Sequence, residues 1–327
     1  MTIAVIAESA GVSIPTVSKV LNGRSGVSAE TRARVEELIN RYGYSKPSAA
    51  NRSNLLELVF RELESMWAVE IIRGVEQVAR QHRIGVLVSR FGLHDSTVPA
   101  WDDTVARRPR CVLSVAQLSA DEREQLRQKG IPFVVFDPTV EMPDDVPFVG
   151  ATNWSGGRTA TRHLVELGHR RIAMIGGPEG VLCCQARMDG YRSAMEAAGL
   201  PVDPRHVVRA SLSREGGHDA AVSLLALAER PTAVFAANDL QALGVYQAAR
   251  EADLAIPADL SVVGFDDLPV VAWVDPPMTT VHQPLTEMAV AATELALSLG
   301  RGEPAAQTGV EIATTLTVRD STAPPPA

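Results

Sequence analysis

Apolar residues at the start of the chain recur at helical spacing in two short runs. Ile3, Ile6, Ala7 and Ala10 share one helical face, and Val12, Val17, Val20 and Leu21 form a second after Gly11, which lets the chain turn sharply. Ser13 is placed to cap the second run, and Pro15 falls in its first turn, where a missing N–H costs little. With the apolar positions turned inward, Ile14, Pro15, Thr16, Ser18 and Lys19 are left outside. This is the pattern of a helix-turn-helix, whose second helix shows its outer face to the major groove of duplex DNA. Ser28 caps a third predicted helix, with Glu30 in its first turn. Val35, Leu38 and Ile39 close a small core, and the helix runs to Asn40 before Gly43 ends the bundle.

After Pro47 the pattern changes to strands alternating with helices. Short apolar runs at 58–60, 85–88, 111–113 and 133–136, then at 172–175, 233–236 and 261–265, read as strands. Helices are predicted near 67–82, 99–106 and 120–128, and again near 186–198, 215–228 and 240–252. Strands without a polar face imply parallel sheets covered on both sides, hence two doubly wound lobes. Ligands of such sheets sit beyond the carboxyl ends of the strands, so a cleft between the lobes is the expected site. Asn238 and Asp239 follow one strand, Asp266 and Asp267 follow another, and Trp67 lies on the turn after the first. A polyhydroxyl ligand suits this set, because Arg187, Asn238 and Asp266 offer planar hydrogen-bonding groups and Trp67 a ring for a C–H face. Asp239 reads rather as a helix cap, and Asp267 as a turn acceptor or inter-lobe contact. Trp154 and Trp273 read as packing or subunit-contact residues, and His163 and His169 as structural.

Composition narrows the partners. The chain has 327 residues, enough for a small module plus a two-lobed core. Residues 1–53 hold seven Lys or Arg against four Asp or Glu, a net of +3, whereas the remainder carries 24 against 35, a net of −11. Contact with a polyanion is therefore expected at the N-terminal end, local and salt-sensitive. Neither a secretory leader nor a long apolar run is seen, so a cytoplasmic protein without a membrane partner is expected. The three cysteines, Cys111, Cys183 and Cys184, lack metal-binding spacing and read as reduced thiols. Gly-x-Gly-x-x-Gly, Gly-x-Ser-x-Gly and Walker-type loops are absent, so no catalytic residue, cofactor or metal is expected, and the chain is not read as an enzyme. The Pro-rich tail from Ser321 to Ala327 is expected to be disordered.

The run from Thr2 to Tyr44 resembles the headpiece of the lac/galactose repressor (LacI/GalR) family of bacterial transcription regulators. Family-like segments follow in the family's order: Ile71-Ile-Arg-Gly-Val-Glu76, the stretch from His163 to Ile172, Arg187-Met-Asp-Gly-Tyr191, Ala237-Asn-Asp239, Ser261-Val-Val-Gly-Phe-Asp-Asp267 and Pro276-Pro-Met-Thr-Thr-Val281. The resemblance implies an all-α helix-turn-helix headpiece at 1–46, a hinge at 47–55 and a periplasmic-binding-protein-like α/β core at 56–327. One lobe would comprise about 56–151 and 283–312, the other about 152–282 and 313–327, with crossings near 150–153, 282–284 and 313–315. It implies a homodimeric repressor of operator DNA, gated by a small effector, with a sugar favoured over a purine. Trp67, Arg187, Asn238 and Asp266 match the family's effector-contacting positions.

Two departures stand out. Ile14 and Pro15 occupy positions where better-known members place polar base-readers, leaving apolar contact, while Lys19 offers a donor and Asn22 follows the helix. The hinge lacks the family's usual leucine: Asn54 stands at the wedge position with Leu55 beside it, so Leu55 is the candidate for minor-groove insertion and Arg52 for a phosphate or minor-groove contact. A solute-binding receptor with the same two-lobed fold is the alternative from a different class.

Overall fold

The computed structural model describes residues 3–21, 26–41, 53–61, 63, 66–90 and 101–326, and the chain divides into two units, 1–52 and 53–327. In the first, α1 (Ile3–Ala10), α2 (Ile14–Leu21) and α3 (Ala29–Arg41) pack around Ile6, Ala7, Ala10, Val17, Val20 and Val35. Gly11, at φ +64°, makes the turn, a conformation that costs glycine no Cβ clash. The hydroxyls of Ser13 and Ser28 accept from the Thr16 and Thr31 amides at 3.4 and 3.2 Å, so both helices start where the cap residues dictate.

The second unit holds two six-stranded sheets. The first contains β1 (Leu55–Phe60), β2 (Gly85–Arg90), β3 (Cys111–Ser114), β4 (Phe133–Phe136), β5 (Phe148–Ala151) and β11 (Gly309–Ile312), in the order β11-β5-β4-β3-β1-β2. The second contains β6 (Ile172–Gly176), β7 (Val207–Arg209), β8 (Ala233–Ala236), β9 (Ser261–Asp266), β10 (Thr279–His282) and β12 (Thr315–Thr317), in the order β12-β10-β9-β8-β6-β7. Around the first sheet lie α4 (Met66–Gln81), α5 (Asp102–Arg107), α6 (Ala120–Gln128) and α11 (Leu285–Arg301). The second carries α7 (Asn153–Glu166), α8 (Leu182–Ala197), α9 (Arg214–Leu225) and α10 (Asp239–Glu251).

Period-two alternation explains why the strands are apolar throughout. Leu56, Leu58 and Phe60 of β1 join one core while Val59 joins the core on the opposite face; in β6, Ala173 and Ile175 face one way and Ile172 and Met174 the other. Each sheet is buried on both sides, as parallel sheets require.

The chain passes between the lobes at three places: between β5 and α7, between β10 and α11, and between β11 and β12. β11 runs parallel to β5, but β12 pairs antiparallel with β10. The direction follows from geometry, since a chain leaving the carboxyl edge of one sheet and entering the facing carboxyl edge of the other runs against its strands. Thr152 and Thr314 tie two of these passages together: the Thr314 amide donates to the Thr152 hydroxyl at 3.0 Å, and the Thr314 hydroxyl donates to the Thr152 carbonyl at 3.2 Å.

Several expectations need correcting. Leu55, offered as a minor-groove wedge, is the first residue of β1, in register with Gly85, and its carbonyl accepts from the Arg110 amide at 2.8 Å. Asn54 is likewise held against the lobe, its Nδ2 donating to the Arg83 carbonyl at 2.8 Å. The Pro-rich tail is ordered over 321–326, because Ser321 is fully buried, its hydroxyl donating to the Val262 carbonyl at 2.6 Å, and the Ala323 carbonyl lies 2.9 Å from His169 Nε2. Helix α8 begins at Leu182, one turn earlier than expected, its first amide donating to the Thr139 carbonyl of the other lobe at 2.7 Å.

Candidate functional site

Two groups of residues bear on function, one in each unit. On α2, Ile14 is 48% exposed, Pro15 and Lys19 are exposed, and Thr16 and Ser18 are partly so, while Val17 and Val20 point into the core. The five candidates thus share the outer side of one helix. Asn22 and Arg52 lie outside the described residues.

In the second unit the centre is Arg187. Helices α7 and α8 touch backbone to backbone, for a Cβ on Gly157 would overlap the Arg187 carbonyl and one on Gly190 the Trp154 carbonyl. That contact brings the guanidinium to the strand ends. Its Nε donates to Asn153 Oδ1 at 2.8 Å, Nη1 to the Ala237 carbonyl at 2.7 Å and Nη2 to Gln283 Oε1 at 3.2 Å. Asp266 Oδ1 is 3.6 Å from Nη1, and the guanidinium carbon sits 3.6 Å from the centroid of the Phe265 ring. Only 3% of Arg187 is exposed, so this charge is held by its partners, not by water.

Two carboxylates from opposite lobes face it. Asp266 ends β9 with φ +113°, and Asp137 follows β4 with φ +44°. Aspartate visits that region at a cost, and such strain collects where surroundings hold a group for function. Burial pushes the carboxyl groups of Asp266 and Asp137 above the usual range, against the opposing pull of Arg187. Gln283 Nε2 donates to Asp137 Oδ2 at 3.2 Å, which links the two lobes through one amide.

Of the four effector candidates, the structure brings Arg187 and Asp266 together. Asn238 directly follows Ala237, whose carbonyl accepts from Arg187, but both ends of its amide are engaged: Oδ1 accepts from the Gln241 amide at 2.9 Å as the cap of α10, and Nδ2 donates to the Leu212 carbonyl at 3.1 Å. Asp239 is therefore not the cap. It is the first residue of the helix, fully buried, accepting from the Leu268 amide at 2.8 Å and the Thr280 hydroxyl at 2.6 Å. Asp267 serves its own lobe, accepting from Arg319 at 2.7 Å, with His282 Nδ1 at 3.1 Å. Trp67, second in α4, is partly buried, with its ring edge against Phe136 at a centroid distance of 5.8 Å.

A cavity of about 390 Å³ lies beside the cluster, lined among others by Asp137, Val140, Met142, Asn153, Trp154 and Cys183. Sequence reading missed Asp137, Asn153 and Gln283. Asp137 directly follows a strand that was read, so the strand-end rule applied to it; Asn153 and Gln283 follow β5 and β10, which were not read. Trp154 is not a packing residue, since it is 44% exposed and lines the cavity, and Trp273 is 75% exposed. Among the described residues no group of His, Cys, Asp or Glu could hold a metal ion, and no helix is long and apolar enough to cross a membrane.

Comparison with known proteins adds the following. Residues 2–47 match the family model described as bacterial regulatory proteins, lacI family, and residues 161–322 match that of a periplasmic binding protein-like domain. The HTH-type transcriptional regulator MalR of Streptomyces coelicolor is 35% identical over 98% of this chain and 96% of its own. The HTH-type transcriptional repressor CytR of Escherichia coli is 32% identical over 91% of this chain and 89% of its own. Among solved structures, a complex of the transcriptional regulator CelR with cellobiose is 31% identical, with TM-score 0.76, over 98% of this chain and 99% of the other. The lac repressor dimer bound to operator and an anti-inducer is 27% identical, with TM-score 0.71, over 99% of each chain.

Proposed function

Because the chain belongs to the LacI family of bacterial regulatory proteins and is a DNA-binding transcriptional regulator, we propose that it represses from an operator as a homodimer and is gated by a sugar between its lobes. Two copies of α2 would enter successive major grooves about 34–36 Å apart on a near-palindromic site. Ile14 and Pro15 would supply apolar contact to a thymine methyl, and Lys19 would donate to guanine or phosphate. The acidic remainder of the chain keeps the DNA contact confined to the headpiece.

The observation that carries the effector reading is Arg187, buried between carboxylates of two lobes and stacked on Phe265. A vicinal diol can exchange for such contacts group by group, with its hydroxyls donating to Asp137 and Asp266 while accepting from Arg187. The solved complex of CelR with cellobiose, similar over the full length of this chain, supports a sugar over other solutes. A ligand that prefers one lobe arrangement by about 1–3 kcal/mol changes operator affinity roughly 5- to 150-fold.

Footprinting of the chain on its own upstream region, with and without a panel of mono- and oligosaccharides, tests this reading. A discrete protected site whose occupancy one sugar changes is the expected result. Protection of random DNA alone, indifferent to every small molecule, overturns it.

A further inference from the structure

The cavity beside the Arg187 cluster has two unlike ends. At the inner end stand Asp137, bonded to Gln283, and Asn153, bonded to Arg187. Toward the outside the lining turns apolar, with Val140, Met142, Leu182 and the indole of Trp154. Arg187, Asp266, Asn238 and Trp67 do not line it, so this space extends away from the cluster while sharing residues with it. Its volume of about 390 Å³ falls within the roughly 300–1,000 Å³ typical of small-molecule sites.

Trp154 is a large aromatic side chain that is 44% exposed and lines this cavity. It is the second residue of α7, directly after the residue that holds Arg187, and its backbone is pinned against Gly190 of α8. The Arg158 guanidinium lies 5.8 Å from its ring centroid, which restrains the indole as well. A flat ring, fixed relative to a polar cluster and facing a cavity, matches a pyranose, which presents an apolar C–H face and a rim of hydroxyls. Asp137, Thr152 and Glu311, also in the lining, are placed to meet such a rim.

Resting on the sugar reading above, we propose that the effector is an oligosaccharide of at least two rings, one at the Arg187 cluster and the next stacked on Trp154. Trp154 is then the residue that distinguishes oligomers from single sugars. This assigns the platform role to an aromatic at the start of α7 and leaves Trp67 to the core of the first lobe.

The test is titration calorimetry with glucose, galactose and xylose beside cellobiose, maltose, xylobiose and the matching trisaccharides, on the full chain and on Trp154→Ala and Trp154→Phe. The expected result is that one oligosaccharide binds at least about tenfold tighter than its monomer, and that Trp154→Ala removes that difference while leaving monomer affinity unchanged. Trp154→Phe should keep part of it. A monosaccharide that binds as tightly as its oligomers, or equal weakening of both by Trp154→Ala, overturns the proposal and leaves a sugar effector standing. Failure of every saccharide to bind overturns the sugar reading itself. The exposed position of Trp154 keeps the variant foldable, and an unchanged melting temperature verifies it.

Discussion

Gln283 reaches across the cleft to Asp137, its Nε2 donating to the carboxylate at 3.2 Å although 146 positions separate the two in the chain. The same side chain accepts from Arg187 through Oε1 at 3.2 Å. Gln283 lies on the passage from β10 to α11 and is only 1% exposed, so one buried amide joins the guanidinium of one lobe to the carboxylate of the other. A ligand that displaces either contact changes what holds the lobes in register.

Gln283→Ala is therefore expected to separate effector binding from its consequence. Loss of the amide leaves buried partners short of a hydrogen bond, at a cost of about 1–3 kcal/mol in stability. Operator affinity without effector should remain measurable, whereas the effector-dependent change should shrink to within about threefold. Titration of operator occupancy against effector gives both numbers. An undiminished ratio would show that the lobes communicate by another route.

Arg187→Met removes the cation that faces Asp137 and Asp266 and keeps most of the side-chain volume. Both carboxyl groups, already raised by burial, lose their opposing pull and should take up protons. Breaking a buried pair from one side typically costs about 3–5 kcal/mol, so a clear drop in urea midpoint is expected along with loss of effector binding. Arg187→Lys should rescue little, because a single ammonium cannot serve Asn153, Ala237 and Gln283 in three directions at once. Rescue of effector affinity to within about threefold by lysine would argue that charge alone matters there.

How far the sequence carried the fold depended on the purity of each local signal. α1 and α2 were legible because a glycine turn, a serine cap and an apolar face all agree over 19 residues, from Ile3 to Leu21. The inner strands were legible because both faces are buried. α11 was not, since Ala289, Ala291, Ala292 and Ala296 spread small apolar residues around the helix and blur its stripe. β5, β7, β10, β11 and β12, three or four residues each, are broken by a glycine, threonine or charged residue, so no continuous apolar run marks them as one marks β4 and β8. Asn153 and Gln283 fall inside the expected lobe crossings at 150–153 and 282–284, but their hold on Arg187 is visible only in three dimensions. Asn238 was found by position, yet its amide is spent on a helix cap and a carbonyl, something only three-dimensional neighbours reveal. The tail misled because prolines were read as disorder, whereas Ser321 and Ala323 bind Val262, Ser261 and His169.

The packing of α7 on α8 gives a sharper stability test. A methyl group on Gly190 would meet the Trp154 carbonyl and the Arg158 amide, backbone groups that cannot swing aside. Gly190→Ala should destabilise the chain by about 1–3 kcal/mol and, by prising α7 from α8, weaken the hold of Asn153 on Arg187. Urea unfolding measures the first effect and effector titration the second. An alanine variant of native stability would mean that the helices separate at little cost.

Asp239 makes stability depend on pH. Burial raises its pKa from the ordinary 3.8 to about 7, against hydrogen bonds from Thr280 and the Leu268 amide that favour the anion. The folded chain thus keeps a proton that the unfolded chain releases, and the stability this gives is fully present below 3.8 and lost as pH rises to about 7. Asp239→Asn imitates the protonated form, with its oxygen accepting from Leu268 and its amide donating to the Thr280 hydroxyl. Relative to this variant, the native chain should lose stability as pH rises from 3.8 to about 7 in paired urea melts. Parallel curves would place the titration of Asp239 outside that window.

Lys19 offers the most direct test of the reading helix. It is exposed on the side of α2 opposite Val17 and Val20, so replacing it with alanine leaves the small core intact. If it contacts phosphate, Lys19→Ala weakens binding to operator and random DNA alike, and the slope of log affinity against log salt falls by about one per headpiece. If it donates to a guanine edge, operator binding drops by about 1–3 kcal/mol per half-site while random binding changes little. Measuring both duplexes across a salt series separates the two, and Ile14→Ala in the same series reports whether apolar contact at the helix start contributes to discrimination. Unchanged affinity for every duplex after both substitutions would show that α2 does not read this DNA.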